Sequence, residues 1–189
     1  MQSAKNAIIL LVVFLLSFFI DIPLREFFKG IQNTYITQIM LFISNISIIF
    51  LILFALVFFL IKKRKDLLLY SILSMLVSLG VVFLIKFLYF RPRPFQDLGI
   101  SSIDGSADSS FPSGHTTRYS SFVPFFWLYK NTRTLILITL ILVAISRMYL
   151  LSHYLSDIIF GFMLGYYNSV FFLYLSRKNN RLNRVLRSI

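Results

Sequence analysis

The sequence predicts an all-α polytopic membrane bundle of six transmembrane helices, in a single domain over residues 1–189. Three observations carry that reading. The composition is 58% hydrophobic with 22 Phe and a mean hydropathy of +0.80, too apolar for a soluble domain. The apolar residues gather in runs of roughly bilayer-crossing length. Lys and Arg cluster at alternate turns between those runs. The net charge of +12 would suggest nucleic acid in a soluble chain. In a chain this apolar it points to topology and anionic headgroups, and no nucleic-acid partner is expected. There is no cysteine, so disulfide and thiolate chemistry are excluded. With only two histidines, His115 and His153, no metal cluster is apparent, and neither a metal nor a cofactor is expected.

The first run covers residues 7–20. It has the shape of a signal peptide, but it ends in Asp21-Ile22-Pro23 without a small-residue cleavage pattern, so it reads as a retained membrane helix. In residues 23–35, Leu24, Phe27, Phe28 and Ile31 fall at i, i+3, i+4 and i+7, while Arg25, Glu26 and Lys29 take other positions. That pattern predicts a short helix lying in the membrane interface. Residues 37–61, interrupted only by Ser44, Asn45 and Ser47, are long enough to span with tilt. Lys62-Lys63-Arg64-Lys65 and Asp66 then separate this run from a third span over residues 67–90, and so short a connection makes an antiparallel hairpin.

Residues 95–111 are polar and small, with Gly99, Gly105 and many serines, and read as a flexible loop. Its carboxylates Asp97, Asp104 and Asp108 are expected to be solvated, as charges on surface loops usually are. Further spans are predicted over residues 116–129, 135–151 and 158–175, followed by a basic tail over 176–189. In the last span Gly161 and Gly165 make a small-xxx-small pattern that suits close packing within the bundle better than a dimer.

Six spans put both termini on one side. Lys5, the Lys62 to Lys65 cluster, Lys130, Arg133, and Arg177, Lys178, Arg181, Arg184 and Arg187 fall on that side, which the Lys/Arg bias makes cytoplasmic. The extracytoplasmic face receives residues 21–35, 90–115 and 146–157, and every candidate catalytic residue lies there.

His153 and Asp157 are spaced i, i+4, which stacks a carboxylate beside an imidazole if this stretch is helical. Such a carboxylate can fix the tautomer of the ring and support its positive charge, as a nucleophile or base requires. On these residues alone the pair serves equally well to satisfy two polar groups at a helix end. Arg147, six residues earlier, offers a planar fork to an anion at that histidine. Lys86, Arg91 and Arg93 crowd the outer end of the third span. Three close cations repel one another in a low dielectric, and an anionic ligand relieves that repulsion. Ser113 and Gly114 before a helix provide a hydroxyl, backbone N–H groups and room for close approach, and His115 follows at the mouth of a span. An ordinary N-cap has the same appearance.

Taken together, Lys86-x6-Arg93-Pro94, Pro112-Ser113-Gly114-His115 and Ser146-Arg147-x5-His153-x3-Asp157 resemble the three-part signature of the type 2 phosphatidic acid phosphatase family. All three parts stand in order at the ends of the expected spans. The signature also occurs in soluble haloperoxidases and acid phosphatases, which this hydrophobic chain does not match. The resemblance implies a haloperoxidase-like helical core and an integral-membrane phosphatase acting on a membrane lipid phosphate without metal. It further implies that His153 attacks phosphorus, Asp157 supports its imidazole, and His115 protonates the leaving oxygen and then activates water. Lys86, Arg93, Ser113, Gly114 and Arg147 would hold the phosphoryl oxygens. Arg91 lies outside the signature and is read as a headgroup contact. Candidate substrates are undecaprenyl diphosphate, phosphatidylglycerophosphate, phosphatidate and a lipid A type glycolipid. Many short undecaprenyl diphosphate phosphatases that this chain resembles carry an acidic residue where Gly114 stands, which tilts the reading slightly toward glycolipid or glycerolipid substrates. Phosphotransfer is the related alternative. A binding or transport protein is the alternative of another class, although the broken-helix repeats common in transporters are not evident.

Overall fold

The computed structural model describes the backbone of residues 2–186 and the side chains of residues 8–179. Lys5, Arg181, Arg184 and Arg187, counted above toward the cytoplasmic side, lie outside the described side chains. Among the described residues the regular structure is entirely helical: α1 (Gln2–Gly30), α2 (Thr34–Ile61), α3 (Lys65–Leu88), α4 (Pro94–Asp97), α5 (Gly114–Ser120), α6 (Val123–Phe126), α7 (Lys130–Tyr149) and α8 (Leu155–Leu186). Segments of five of them, α1, α2, α3, α7 and α8, are long and apolar enough to cross a membrane.

Two sequence expectations are corrected. The fourth predicted span, residues 116–129, is not one helix. It is α5 followed by the single turn α6, with a break at Ser121 and Phe122. The Ser120 and Ser121 hydroxyls both donate to the Thr117 carbonyl, at 3.0 and 2.9 Å, and Pro124 cannot supply a helical N–H. This broken segment is nevertheless the centre of the bundle, with Tyr119, Phe122, Val123, Phe125 and Phe126 buried. Irregular backbone is tolerated at membrane depth only when protein surrounds it, as here. The second correction concerns the interfacial helix, which is instead the last turns of α1, running through Pro23. Leu24 and Phe28 pack on Tyr149, Leu150 and Leu151, while Phe27 and Ile31 stay exposed.

The chain runs back and forth between two ends. At one end Arg64 pairs with Asp66 at 2.8 Å, Ser176 bonds Asp66, and Tyr129 packs edge-on to Phe58 with centroids 4.9 Å apart. At the other end Asn33 and Thr37 meet the Tyr149 hydroxyl, and Asp21 meets Ser156. The first end carries the described Lys62 to Lys65, Lys130, Arg133, Arg177 and Lys178, whereas the second carries the signature residues.

A polar seam joins α3, α5 and α8. Ser74 and Ser169 share a hydrogen bond of 2.9 Å, Asn168 donates to the Ser74 carbonyl at 2.9 Å and the Ser78 hydroxyl at 2.8 Å, and Ser169 donates to the Ser121 carbonyl at 2.7 Å. Small side chains allow helices to approach closely enough for such bonds. Gly161 and Gly165 extend this contact against α5. A Cβ on Gly161 would lie 2.7 Å from the Ser113 carbonyl oxygen, and one on Gly165 would lie 2.3 Å from the Thr117 carbonyl oxygen. Both obstacles are backbone, so the substituted helix would have to move away. Gly165→Ala is therefore expected to destabilise the solubilised protein by about 1–3 kcal/mol. Gly80→Ala, where nothing lies within 4 Å of the new Cβ, is expected to be neutral or slightly stabilising in the same thermal melts. Equal melting temperatures for the two variants would contradict this packing.

Candidate active site

Lys86 comes from the last turn of α3, and Arg91 and Arg93 from the extended stretch that follows it. Gly114 and His115 open α5, Arg147 lies in the last turn of α7, and Asp157 lies in the first turn of α8. Between α7 and α8 the backbone reverses at Leu151, in the left-handed region at φ 54°, and this turn aims Ser152 and His153 inward. The result is a cavity of about 240 Å³ lined by six of the predicted residues, Lys86, Arg93, Gly114, His115, Arg147 and His153. Asp157 and Ser113 are absent from its lining and lie fully buried behind it. The Ser113 hydroxyl caps α5 and meets the Thr116 hydroxyl at 3.1 Å.

His153 is held differently from the sequence expectation. Its Nδ1–H donates to the Ser110 carbonyl at 2.6 Å, whereas the Asp157 carboxylate stands 3.6 Å away, beyond hydrogen-bond length. The backbone carbonyl fixes the tautomer and leaves Nε2 as the lone-pair nitrogen. Asp157 accepts instead from the Tyr154 N–H at 2.8 Å and from Arg91 Nη1 at 2.6 Å, so it offers His153 a nearby negative charge. Arg91 is thus no headgroup contact. It turns inward, bridging Asp157 to Asp21 of α1 at 2.8 Å and stacking 4.3 Å over the Tyr154 ring. Asp21 in turn accepts from the Ser156 N–H at 2.9 Å.

The acids of the 95–111 loop are ion-paired, with Asp104 largely buried and Asp97 and Asp108 still partly exposed to solvent. Asp108 pairs with Lys86 at 2.7 Å and with Arg93, whose Nη1 also donates to the Ser152 carbonyl at 2.9 Å. Asp104 pairs with Arg147 and accepts from the Ser152 hydroxyl at 2.7 Å. Asp97 accepts from the Tyr154 hydroxyl and lies 3.7 Å from Arg25. Crowded cations in a low dielectric draw in the nearest carboxylates, and that pull exceeds the loop's preference for water. Arg147 Nε, buried, keeps no partner. Arg118, one turn beyond His115, also lines the cavity.

These surroundings set the protonation of the groups outside the spans. Burial, then the charges of Arg147, Arg93 and Lys86, push His153 well below its ordinary value, so it rests neutral. Burial, then Arg147, Arg118 and His153, push His115 down to about 2. Burial alone would raise Asp104, but Arg147 and the Ser106 and Ser152 hydroxyls outweigh it and hold the carboxyl below the usual range. Asp108 is likewise lowered, burial being outweighed by Lys86 and Arg93.

Asp21, Ser110 and Arg118 escaped the sequence reading. Asp21 had a usable signal, since an acid at the end of an apolar run needs a partner. Arg118 had one in its i+3 spacing from His115. Ser110 contributes only its backbone, which leaves no mark in the sequence.

Residues 67–181 match the family model described as the PAP2 superfamily. The chain is 31% identical over 144 residues to the undecaprenyl-diphosphatase BcrC of Bacillus subtilis, covering 71% of this chain and 74% of that one. It superposes on the crystal structure of a transmembrane PAP2 type phosphatidylglycerolphosphate phosphatase from Bacillus subtilis with a TM-score of 0.70 at 22% identity, covering 90% of this chain and 96% of the other. Aquifex aeolicus LpxE gives a TM-score of 0.66 at 19% identity, over 82% and 94% of the two chains. At these identities the two crystal structures establish the shared fold.

Because Asp108 neutralises Lys86 and Arg93, an incoming anion must displace it. Asp108→Asn is expected to tighten binding of inorganic phosphate severalfold, read by calorimetry on the solubilised protein. Weaker binding would mean that Asp108 holds the two cations in place for an anion.

Proposed function

The chain belongs to the PAP2 superfamily, and from that premise we propose that this membrane lipid phosphatase removes the terminal phosphoryl group of a lipid phosphate or diphosphate through a phosphohistidine at His153. The observation that carries the proposal is the His153 tautomer. Its Nδ1–H is committed to the Ser110 carbonyl, and its other nitrogen belongs to a ring that lines a cavity walled by Lys86, Arg93 and Arg147. The Nε2 lone pair forms a bond to phosphorus while the bond from phosphorus to the leaving oxygen breaks. His115 supplies the proton to that oxygen, then takes one from the water that cleaves the nitrogen–phosphorus bond. Burial, with the surrounding cations, keeps His115 neutral at rest, and the charge of a bound phosphate opposes the cations, so its protonation accompanies substrate binding. Lys86, Arg93 and Arg147, with its unpartnered Nε, spread positive charge over the transferring group, so no metal is required. Asp157, charge-compensated by Arg91, stabilises the imidazolium character that develops on His153. The similarity to an undecaprenyl-diphosphatase supports a polyprenyl diphosphate as the first substrate to try, ahead of the glycerolipid and glycolipid phosphates.

The Lys/Arg bias supports an extracytoplasmic active site with cytoplasmic termini in the cell membrane. The lipid keeps its chain in the bilayer while its phosphate enters the cavity.

Two outcomes are expected. His153→Ala abolishes phosphate release from lipid phosphates by a folded, purified protein, and full activity persists in EDTA. Substantial turnover by His153→Ala, or loss in EDTA that Mg²⁺ restores, contradicts the mechanism. In the cysteine-free background, Ala107→Cys reacts with a membrane-impermeant maleimide in intact cells, and Asn179→Cys reacts only after lysis. The reverse pattern inverts the topology.

A further inference from the structure

We propose that Arg118 forms a second anion subsite in the cavity, holding the phosphate that stays on the lipid when a diphosphate substrate loses its terminal phosphoryl group. The inference rests on the reading that this cavity hydrolyses a lipid phosphate, and it specifies the class.

Arg118 and His115 stand three residues apart on α5, share a face, and both line the cavity. Arg118 Nε donates to the Gly114 carbonyl at 3.1 Å, which orients the guanidinium and leaves both Nη groups without an acceptor among the described residues. No described carboxylate lies within ion-pair distance of it. The two cavity acids are committed elsewhere, Asp104 to Arg147 and Asp108 to Lys86 and Arg93. An arginine in an apolar wall without a counterion is costly, and such a residue marks a place where an anion binds. Gly114 borders the guanidinium, since a Cβ there would sit 3.8 Å from Arg118 Nη2 and 3.8 Å from Val82 Cγ1.

The order of groups along the cavity matches a diphosphate. Among the lining residues, Lys86, Arg93, Arg147 and His153 come from the loop-side ends of their elements, His115 from the first turn of α5, and Arg118 from three residues further along α5, while Leu79 and Phe83 precede Lys86 along α3. A lipid diphosphate anchored by its chain presents the terminal phosphoryl, the bridging oxygen, the second phosphate and then the chain. As His153 bonds to phosphorus, the electron pair of the broken bond goes to the bridging oxygen, His115 protonates it, and a lipid monophosphate departs. Its charge falls beside Arg118. A monophosphate substrate would place an uncharged ester carbon there and leave the arginine unpaired.

The test uses two soluble probes, methylenediphosphonate and inorganic phosphate, titrated calorimetrically into the full-length solubilised protein. The wild type is expected to bind the diphosphonate about 10- to 100-fold more tightly, as one added charged hydrogen-bonded contact gives. Arg118→Gln is expected to erase that preference and Arg118→Lys to retain part of it. No preference in the wild type, or an unchanged preference in Arg118→Gln, overturns the proposal. Should Arg118→Gln fail to fold, the wild-type preference and the Arg118→Lys protein decide. Phosphate release from a lipid diphosphate by the wild type tests the functional reading separately. Its absence sinks that reading and with it the catalytic role of the subsite, even where the diphosphonate preference stands.

Discussion

Charge balance in a low dielectric is the constraint on which the site depends. Five cations, Lys86, Arg91, Arg93, Arg118 and Arg147, converge where α3, α5, α7 and α8 meet the loop. Unscreened, their mutual repulsion would open the bundle at this end. Four of them are matched by carboxylates: Asp21 and Asp157 on Arg91, Asp108 on Lys86 and Arg93, and Asp104 on Arg147. The carboxylates differ in burial. Asp21 and Asp157, the scaffold set, keep 3% and 0% of their side chains exposed and Asp104 of the loop keeps 6%, whereas Asp108 keeps 56%. Asp108 is the carboxylate that a phosphoryl group can most readily replace.

The scaffold set explains why α1 belongs to the site although it carries none of the signature. Asp21 reaches from α1 to Arg91 and Ser156, so the N-terminal helix is tied to the start of α8 through the group that also neutralises Asp157. A break in that chain would leave a buried carboxylate beside His153 with no counterion. The cost would fall on folding and on the nucleophile together.

The long helices, the signature residues and the glycine-lined α5–α8 contact were legible because each depends on a local property: apolar length, fixed spacing, or the absence of a side chain. The broken fourth segment was not legible, because its hydropathy resembles that of a span while the kink is set by Ser120 and Ser121 turning back on Thr117. The ion pairing of the loop acids was not legible for the opposite reason. Asp104 and Asp108 lie in a segment whose composition says solvent, yet cations far away in the chain recruit them. The hold of Ser110 on His153 is a backbone contact that no side-chain pattern encodes.

That backbone contact also limits how the loop yields to substrate. Residues 104–110 carry both the exchangeable carboxylate of Asp108 and the carbonyl that orients the nucleophile, so wholesale movement would disarm His153 as phosphate arrived. The anchoring pattern separates the two duties. The Ser110 N–H donates to the Arg91 carbonyl at 2.9 Å, the Arg91 N–H to the Ser109 hydroxyl at 3.0 Å, and the Ser109 hydroxyl to the Tyr89 carbonyl at 3.1 Å. Both serines are buried, while Gly105, Ala107 and Asp108 are exposed. Exchange of carboxylate for phosphate therefore needs only the exposed part of the loop to move. The pinned part, tied to the stretch that carries Arg91 and Arg93, keeps the imidazole aimed throughout.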